Sequence, residues 1–187
     1  MRRSLGRGAG PAWQDRAVPA PDVPELSLRP VRPAERSLLE RLWQLYMHDL
    51  SAFRGSLPDA EGRFRSRVPD YLDDADALAL IIRNGETPVG FVLARSLSHE
   101  PHTLGEFFVI RSARRAGVGE AAAREVLLSR PGRWQIAFQD ENPRGARFWR
   151  RLATDLAGSS WTEDRRPVPG KPHLPPDVWL TLEVPPG

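Results

Sequence analysis

The chain has 187 residues and a mass of 21.0 kDa, enough for one domain, or one domain and a tail, whose core needs no covalent staple. It contains no cysteine, which excludes disulfides, thiolate nucleophiles and Cys-ligated metals and suits a reducing compartment. Net charge is only +3 with Lys171 the sole lysine, so an isoelectric point near 10.1 reflects arginines that do not titrate; an anionic small molecule suffices as partner, and nucleic acid is not demanded.

Residues 1–24 are rich in Gly, Pro, Ala and Arg, with Trp13 their only aromatic. Such a segment buries too little to offset its ordering entropy and reads as a disordered arm, followed by a single domain over 25–187. Arg2-Arg3 precede no apolar run, and no stretch reaches the ~20 apolar residues of a membrane span. The expectation is a cytoplasmic protein with no membrane partner. Leu26–Val31 alternates as a first strand. Pro33 suits a first helical turn, and a helix is expected to about Leu50, with Leu38, Leu39, Leu42, Leu45 and Tyr46 at helical spacing. Tyr46, His48 and Asp49 are its chemically interesting members. Residues 51–76 carry Gly55, Pro58, Gly62 and Pro69 among charges and read as loop with a short helix at most.

Ala77–Arg83 and Val89–Ser96 make a hairpin about Asn84-Gly85-Glu86. The loop Leu97–Thr103 holds His99 and His102, an H-x-x-H spacing without a third ligand, so no metal is assigned. A strand from about Leu104 to Ile110 leads through a cationic turn, Arg111–Ala116, into Gly117-Val118-Gly119 and a helix to Leu128. Pro131-Gly132 stops that helix. Trp134–Phe138 is the next strand, laid parallel to Leu104–Ile110 by a right-handed crossover. Asn142-Pro143 opens a helix with Ala146, Phe148, Trp149 and Leu152 inward. Val178–Val184 ends the chain as a strand, with Trp161–Asp164 as its short partner. The sum is an α+β fold: a mixed, mostly antiparallel sheet of six or seven strands, a central parallel βαβ unit and about four helices.

The strand, glycine turn and helix over Phe107–Leu128 organise the rest. That arrangement gathers unpaired N–H groups at the positive end of a helix dipole, and glycines let a ligand approach the main chain. With Arg114 and Arg115 alongside, the turn reads as a pyrophosphate seat. A dinucleotide motif is formally matched by Gly117-x-Gly119-x-x-Ala122, but six residues separate strand from glycine and too little chain follows for the parallel series. A nucleotide P-loop would need the absent Gly-Lys-Ser/Thr.

Arg114-Arg115-Ala116-Gly117-Val118-Gly119 instead resembles the Q/R-x-x-G-x-G/A signature of the GNAT superfamily of N-acetyltransferases. A second segment, Asn142 to Trp149, resembles that family's N-x-x-A-x-x-F-Y, with Gly145 in the Ala slot and Trp149 in place of Tyr. The resemblance spans about Leu26–Val184. YMHDLSAF, EFFVIR and FWRRLA further resemble a little-characterised branch of predicted acetyltransferases. The resemblance implies acetyl-CoA as co-substrate and an amine acceptor, small-molecule or peptide. It implies pyrophosphate on the main chain of Arg115, Ala116, Gly117, Val118 and Gly119. Pantetheine would run along Phe107, Phe108 and Val109, with Asn142 and Trp149 as further contacts. Glu106 is the base candidate. The usual acid position is Trp149, whose indole N–H is no acid, so Tyr46 or Tyr71 is left, with Tyr46 on the first helix the candidate. A non-catalytic acyl-CoA sensor or interaction domain is the alternative reading, and a homodimer is left open.

Overall fold

Alternating apolar residues in the strands give one sheet two apolar faces, and each face is covered by its own helices. The computed structural model describes residues 25–186, so the arm expected over 1–24 lies outside the described residues. In spatial order the sheet runs β1 (Leu26–Pro30), β2 (Leu78–Asn84), β3 (Thr87–Arg95), β4 (His102–Val109), β5 (Gly132–Phe138), β7 (Asp177–Val184) and β6 (Trp161–Arg166). Every neighbouring pair is antiparallel except β4 with β5. The helices are α1 (Arg36–Arg54), α2 (Val68–Leu72), α3 (Val118–Leu128) and α4 (Pro143–Ala157). This is the expected α+β architecture with seven strands.

Period two in the strands explains the two cores. Leu80 and Ile82 of β2, Val92 and Ala94 of β3, and Leu104 and Val109 of β4 pack with Val126 and Leu127 of α3 and with Trp149 and Leu152 of α4. Their strand neighbours Ile81, Phe91, Leu93 and Phe108 point the other way, against Leu39, Leu42 and Trp43 of α1 and Val68 and Tyr71 of α2.

Two expectations about α1 need adjusting. It runs to Arg54, four residues past Leu50, and ends where Gly55 takes a left-handed φ of +61° and donates to the Ser51 carbonyl at 3.0 Å. Leu45 is 52 % exposed; the buried stripe is Leu39, Leu42, Trp43, with Tyr46 packed beside it, an i, i+3, i+4, i+7 set that leaves Leu45 off to one side. The segment after α1 is not free-standing. Gln44 donates to the Phe64 carbonyl at 3.0 Å and accepts from the Phe64 N–H at 2.7 Å. Trp43 Nε1 donates to the Arg65 carbonyl at 3.0 Å. These bonds hold the chain leading into α2 against α1.

Candidate functional site

The site begins with a misfit in β4. Opposite β3, Leu93 faces Glu106 and Ala94 faces Leu104, so Gly105 is one residue too many. Such a bulge reverses the alternation beyond it. Without it Glu106 would share the α3/α4 face with Leu104. With it, Glu106 and Phe108 turn toward α1 and α2, while Phe107 and Val109 turn toward α3 and α4. At the same place β4 and β5 part. They pair only at His102–Trp134, Thr103–Gln135 and Leu104–Ile136, whereas β4 stays on β3 through Val109 and β5 stays on β7 through Phe138. A wedge therefore opens between them, with its apex at Gly105. The β4 main chain from Glu106 to Val109 forms one wall and has no ladder partner on that side among the described residues.

Glu106 sits beside the apex with its side chain 12 % exposed. Tyr46 Oη donates to its Oε2 at 2.6 Å, and Arg67 Nη1 stands 3.4 Å from Oε1. Two expected residues sixty positions apart are thus in direct contact. The Tyr46 ring is wedged against Trp43, Phe91 and Phe108, with centroids at 5.5, 5.6 and 5.9 Å, so the hydroxyl has little freedom. Burial raises the Glu106 carboxyl above its ordinary value, against the pull of Tyr46 and of Arg67. Burial and the adjacent Glu106 carboxylate together hold the Tyr46 hydroxyl well above the usual phenol range.

Tyr71 lies across the bulge itself. A Cβ on Gly105 would overlap its hydroxyl oxygen and come 3.2 Å from Cζ, so glycine is required there by packing. The residue is 3 % exposed, and its hydroxyl has no hydrogen-bond partner among the described residues. Leaving such a group unpaired costs about 1–3 kcal/mol.

The other end of the wall meets the glycine turn. Arg111–Ala116, with Arg115 and Ala116 closing it, is a 3-10 turn whose i→i+3 pattern uses its own N–H groups. Gly117 then takes φ +73° and starts α3 without a side-chain cap. The first main-chain bond of the helix is Ala121 N–H to Gly117 O at 3.0 Å. The N–H groups of Val118, Gly119 and Glu120 precede it and are the donors this end offers, a little later than the Arg115–Gly119 span expected. A Cβ on Gly119 would lie 3.7 Å from Val109 Cγ2 and 3.9 Å from Phe107 Cε1. The donor cluster is therefore seated directly on β4. Val118 is 1 % exposed, so only its main chain can face a ligand.

Arg114 is placed differently from the expectation that it would meet phosphate. Its Nε donates to the Val109 carbonyl at 2.7 Å, and its other end pairs with Asp49 of α1. Arg111 joins the same carboxylate at 2.7 Å. Burial would raise Asp49, but the two guanidinium partners outweigh it and hold it below its ordinary value. This cluster ties the turn to α1. Asn142 caps α4, accepting from the Gly145 N–H at 3.1 Å. A Cβ on Gly145 would lie 2.8 Å from its Nδ2, which explains Gly in that slot. Trp149 meets Phe107 edge-on at 5.3 Å and Phe148 at 4.7 Å, closing the wedge on the α4 side.

His99 lies beside Asp76 at 3.6 Å, while His102 is buried in β4, bonded to the Ser96 carbonyl at 3.0 Å and edge-on to Trp134. They do not converge. Among the described residues no three His, Asp or Glu side chains gather as a metal set, and no helix is long and apolar enough to cross a membrane.

Sequence reading passed over Arg67 and the second wall of the site. Arg67 and Tyr71 stand one turn apart next to buried Val68, and that spacing within the 51–76 segment was the available signal. At the wedge's far side Arg54, with its side chain 9 % exposed, bonds Asp177 at 2.9 Å, the Pro175 carbonyl at 2.6 Å and approaches Glu141 at 3.4 Å. No local pattern links those positions.

Comparison with known proteins agrees on one family. The model of the acetyltransferase (GNAT) family matches residues 39–153. An acetyltransferase structure from Thermus thermophilus is 21 % identical, with TM-score 0.61 over 85 % of this chain and 97 % of that one. A GNAT-family acetyltransferase from Staphylococcus aureus is 13 % identical, with TM-score 0.58 over 84 % and 98 %. Spermidine N-acetyltransferase from Vibrio cholerae, in complex with CoA and spermine, is 10 % identical, with TM-score 0.58 over 85 % and 95 %. No curated protein matches the chain.

Proposed function

The chain belongs to the acetyltransferase (GNAT) family, and from that premise we propose that it moves an acetyl group from acetyl-CoA to an amine by direct attack. The observation that carries this reading is the Tyr46–Glu106 pair at the point where β4 leaves β5, with the uncapped start of α3 against the same strand. The residues present fit the co-substrate. Val118, Gly119 and Glu120 offer N–H donors to a diphosphate, and no atom lies within 4 Å of where a Gly117 Cβ would stand. The edge of Phe107, Phe108 and Val109, unpaired toward β5 apart from the Val109 carbonyl that accepts from Arg114, suits a chain of amides such as pantetheine. Asn142 Nδ2, which the cap made through Oδ1 leaves unused, and the Trp149 ring are the further contacts on this reading. Acetyl-CoA supplies the activated acetyl group.

Glu106 takes the proton that keeps an ammonium from attacking. A buried carboxylate with a raised pKa suits that task better than an exposed one. Tyr46 acts through it, since its own proton is committed to the carboxylate; we read it as the residue that positions the base. Asp177 adds negative field at Glu106, against the larger opposing charges of Arg67 and Arg95, so the Glu106 carboxylate itself is what would receive a cationic acceptor. The spermine held by the Vibrio cholerae neighbour is an amine of that kind. A chain that uses acetyl-CoA and has no cysteine works in the cytoplasm on this reading.

The test couples calorimetry with CoA to thiol release from acetyl-CoA across an amine panel. Gly119→Glu puts a carboxylate on the phosphate seat without a backbone clash. Its expected effect is about 30-fold weaker CoA binding, an energy of about 2 kcal/mol. Unchanged affinity in the folded variant refutes the seat. Tight CoA binding with no turnover above hydrolysis makes the chain an acyl-CoA sensor instead.

A further inference from the structure

We propose that the hydroxyl of Tyr71 gives the proton to the sulfur that departs in this reaction, an assignment resting on the acetyl-transfer reading above. Proton donors near the wedge are scarce: the chain has two tyrosines, one lysine, four histidines and no cysteine, of which His48, His99 and His173 are exposed and His102 is buried against the Ser96 carbonyl. Trp149 stands where the family motif has a tyrosine, and an indole N–H does not deliver protons. Tyr46 has already given its hydrogen bond to Glu106 at 2.6 Å. Tyr71 has not. Its hydroxyl is buried with no partner among the described residues. It fills the place a Gly105 side chain would take, on the bulge where β4 and β5 part. Arg67, the residue just before α2, reaches Glu106 at 3.4 Å, and Tyr71 follows one turn later on that helix. An O–H held at the wedge's apex and bonded to nothing suits a ligand atom that arrives and becomes an anion. Burial and the Glu106 charge push this hydroxyl up to about 12, so it passes its proton to the less basic sulfur only as its oxygen takes one from the cationic nitrogen.

The bookkeeping closes. Glu106 takes one proton from the acceptor ammonium. The nitrogen lone pair forms the N–C bond, and the C–S bond breaks with its electron pair going to sulfur. Tyr71 passes its proton to the sulfur while its oxygen takes one from the nitrogen, leaving the neutral amide and a free thiol. Glu106 returns its proton to solvent.

Only two tyrosines are present, so 13Cζ-tyrosine NMR of the full chain gives two resonances, and Tyr71→Phe assigns them. CoA is expected to shift the Tyr71 resonance, and desulfo-CoA, lacking only the sulfur, to leave it in place. Calorimetry with both ligands runs in parallel. If neither binds, the co-substrate reading falls and this assignment with it. If both bind and the Tyr71 resonance responds to them alike, the assignment alone falls. Tyr71→Phe is expected to fold with unreduced thermal stability and to bind CoA like the wild type. With acetyl-CoA its kcat should drop about 100-fold, and the deficit should shrink with S-acetyl-4-nitrothiophenol, whose thiolate leaves unaided. A destabilised Tyr71→Phe, or equal losses with both thioesters, overturns the proposal.

Discussion

Glu106 shows how far one side chain can be understood from its surroundings. Its identity and its strand were readable in the sequence, but its contact with Tyr46 was not, because sixty residues separate them. The direction of its shift has two consequences. As a base it must be ionised, so the rate should fall with acid along a limb displaced above the ordinary Glu range, and Glu106→Gln should remove that limb and lower kcat about 100-fold while CoA affinity holds. The sign for stability is opposite. A carboxyl whose folded pKa is raised takes up protons preferentially in the fold, so its contribution is fully present below the unfolded pKa and lost as pH rises through the folded one. Glu106→Gln should therefore flatten that loss in melting temperature measured between acid and neutral pH. A variant with an unaltered pH–rate profile removes Glu106 from the role of base.

At the scale of elements, the bulge at Gly105 and the Asp49 cluster decide what the site can be. Gly105→Ala must displace the Tyr71 ring or the β4 main chain, and is expected to destabilise by about 1–3 kcal/mol in denaturant unfolding. The double variant Gly105→Ala, Tyr71→Phe should recover part of that, since the overlapping oxygen is gone. Asp49 joins α1 to the turn before α3 through Arg111 and Arg114. Its folded pKa is depressed, so its contribution exists above the ordinary carboxylate value and disappears as pH falls through the folded one. Asp49→Asn should cost about 1–2 kcal/mol at neutral pH and nothing at low pH. Equal destabilisation at both ends of the titration would dismiss the ion-pair account. Asp49 stood out in the first helix as a residue type. Its partners did not, because the pairing depends on how that helix crosses the sheet.

The molecule as a whole is a sheet in two parts, β1–β4 and β5–β7–β6, held at the seam by three β4–β5 residue pairs, by α4 and by Arg54 reaching from α1 to Asp177. A ligand in the wedge touches both parts. CoA at 100 times its dissociation constant should raise the unfolding free energy by about 2.7 kcal/mol, read as a rise in melting temperature that the roughly 30-fold weaker binding of Gly119→Glu cuts to about 0.9 kcal/mol at the same concentration. Arg54→Met leaves Asp177 and Glu141 without their cation and is expected to cost about 3 kcal/mol. If melting is insensitive to Arg54, the seam does not depend on that bridge.

The sequence by itself determined the strands, the glycine turn and the order of elements, because each rests on short-range periodicity and on residues with special backbone freedom, such as Gly85 and Gly117; it ended α1 four residues early. It also carried both halves of the family motif. The tertiary structure alone decided which face Glu106 points to, since a single extra residue reverses the alternation and no local pattern marks it. It alone joined Tyr46 to Glu106, spent Arg114 on Asp49 and left the Tyr71 hydroxyl unpaired among the described residues. Each of those outcomes is a contact between segments distant in the chain, and contacts of that kind are set by packing across the sheet rather than by neighbours in sequence.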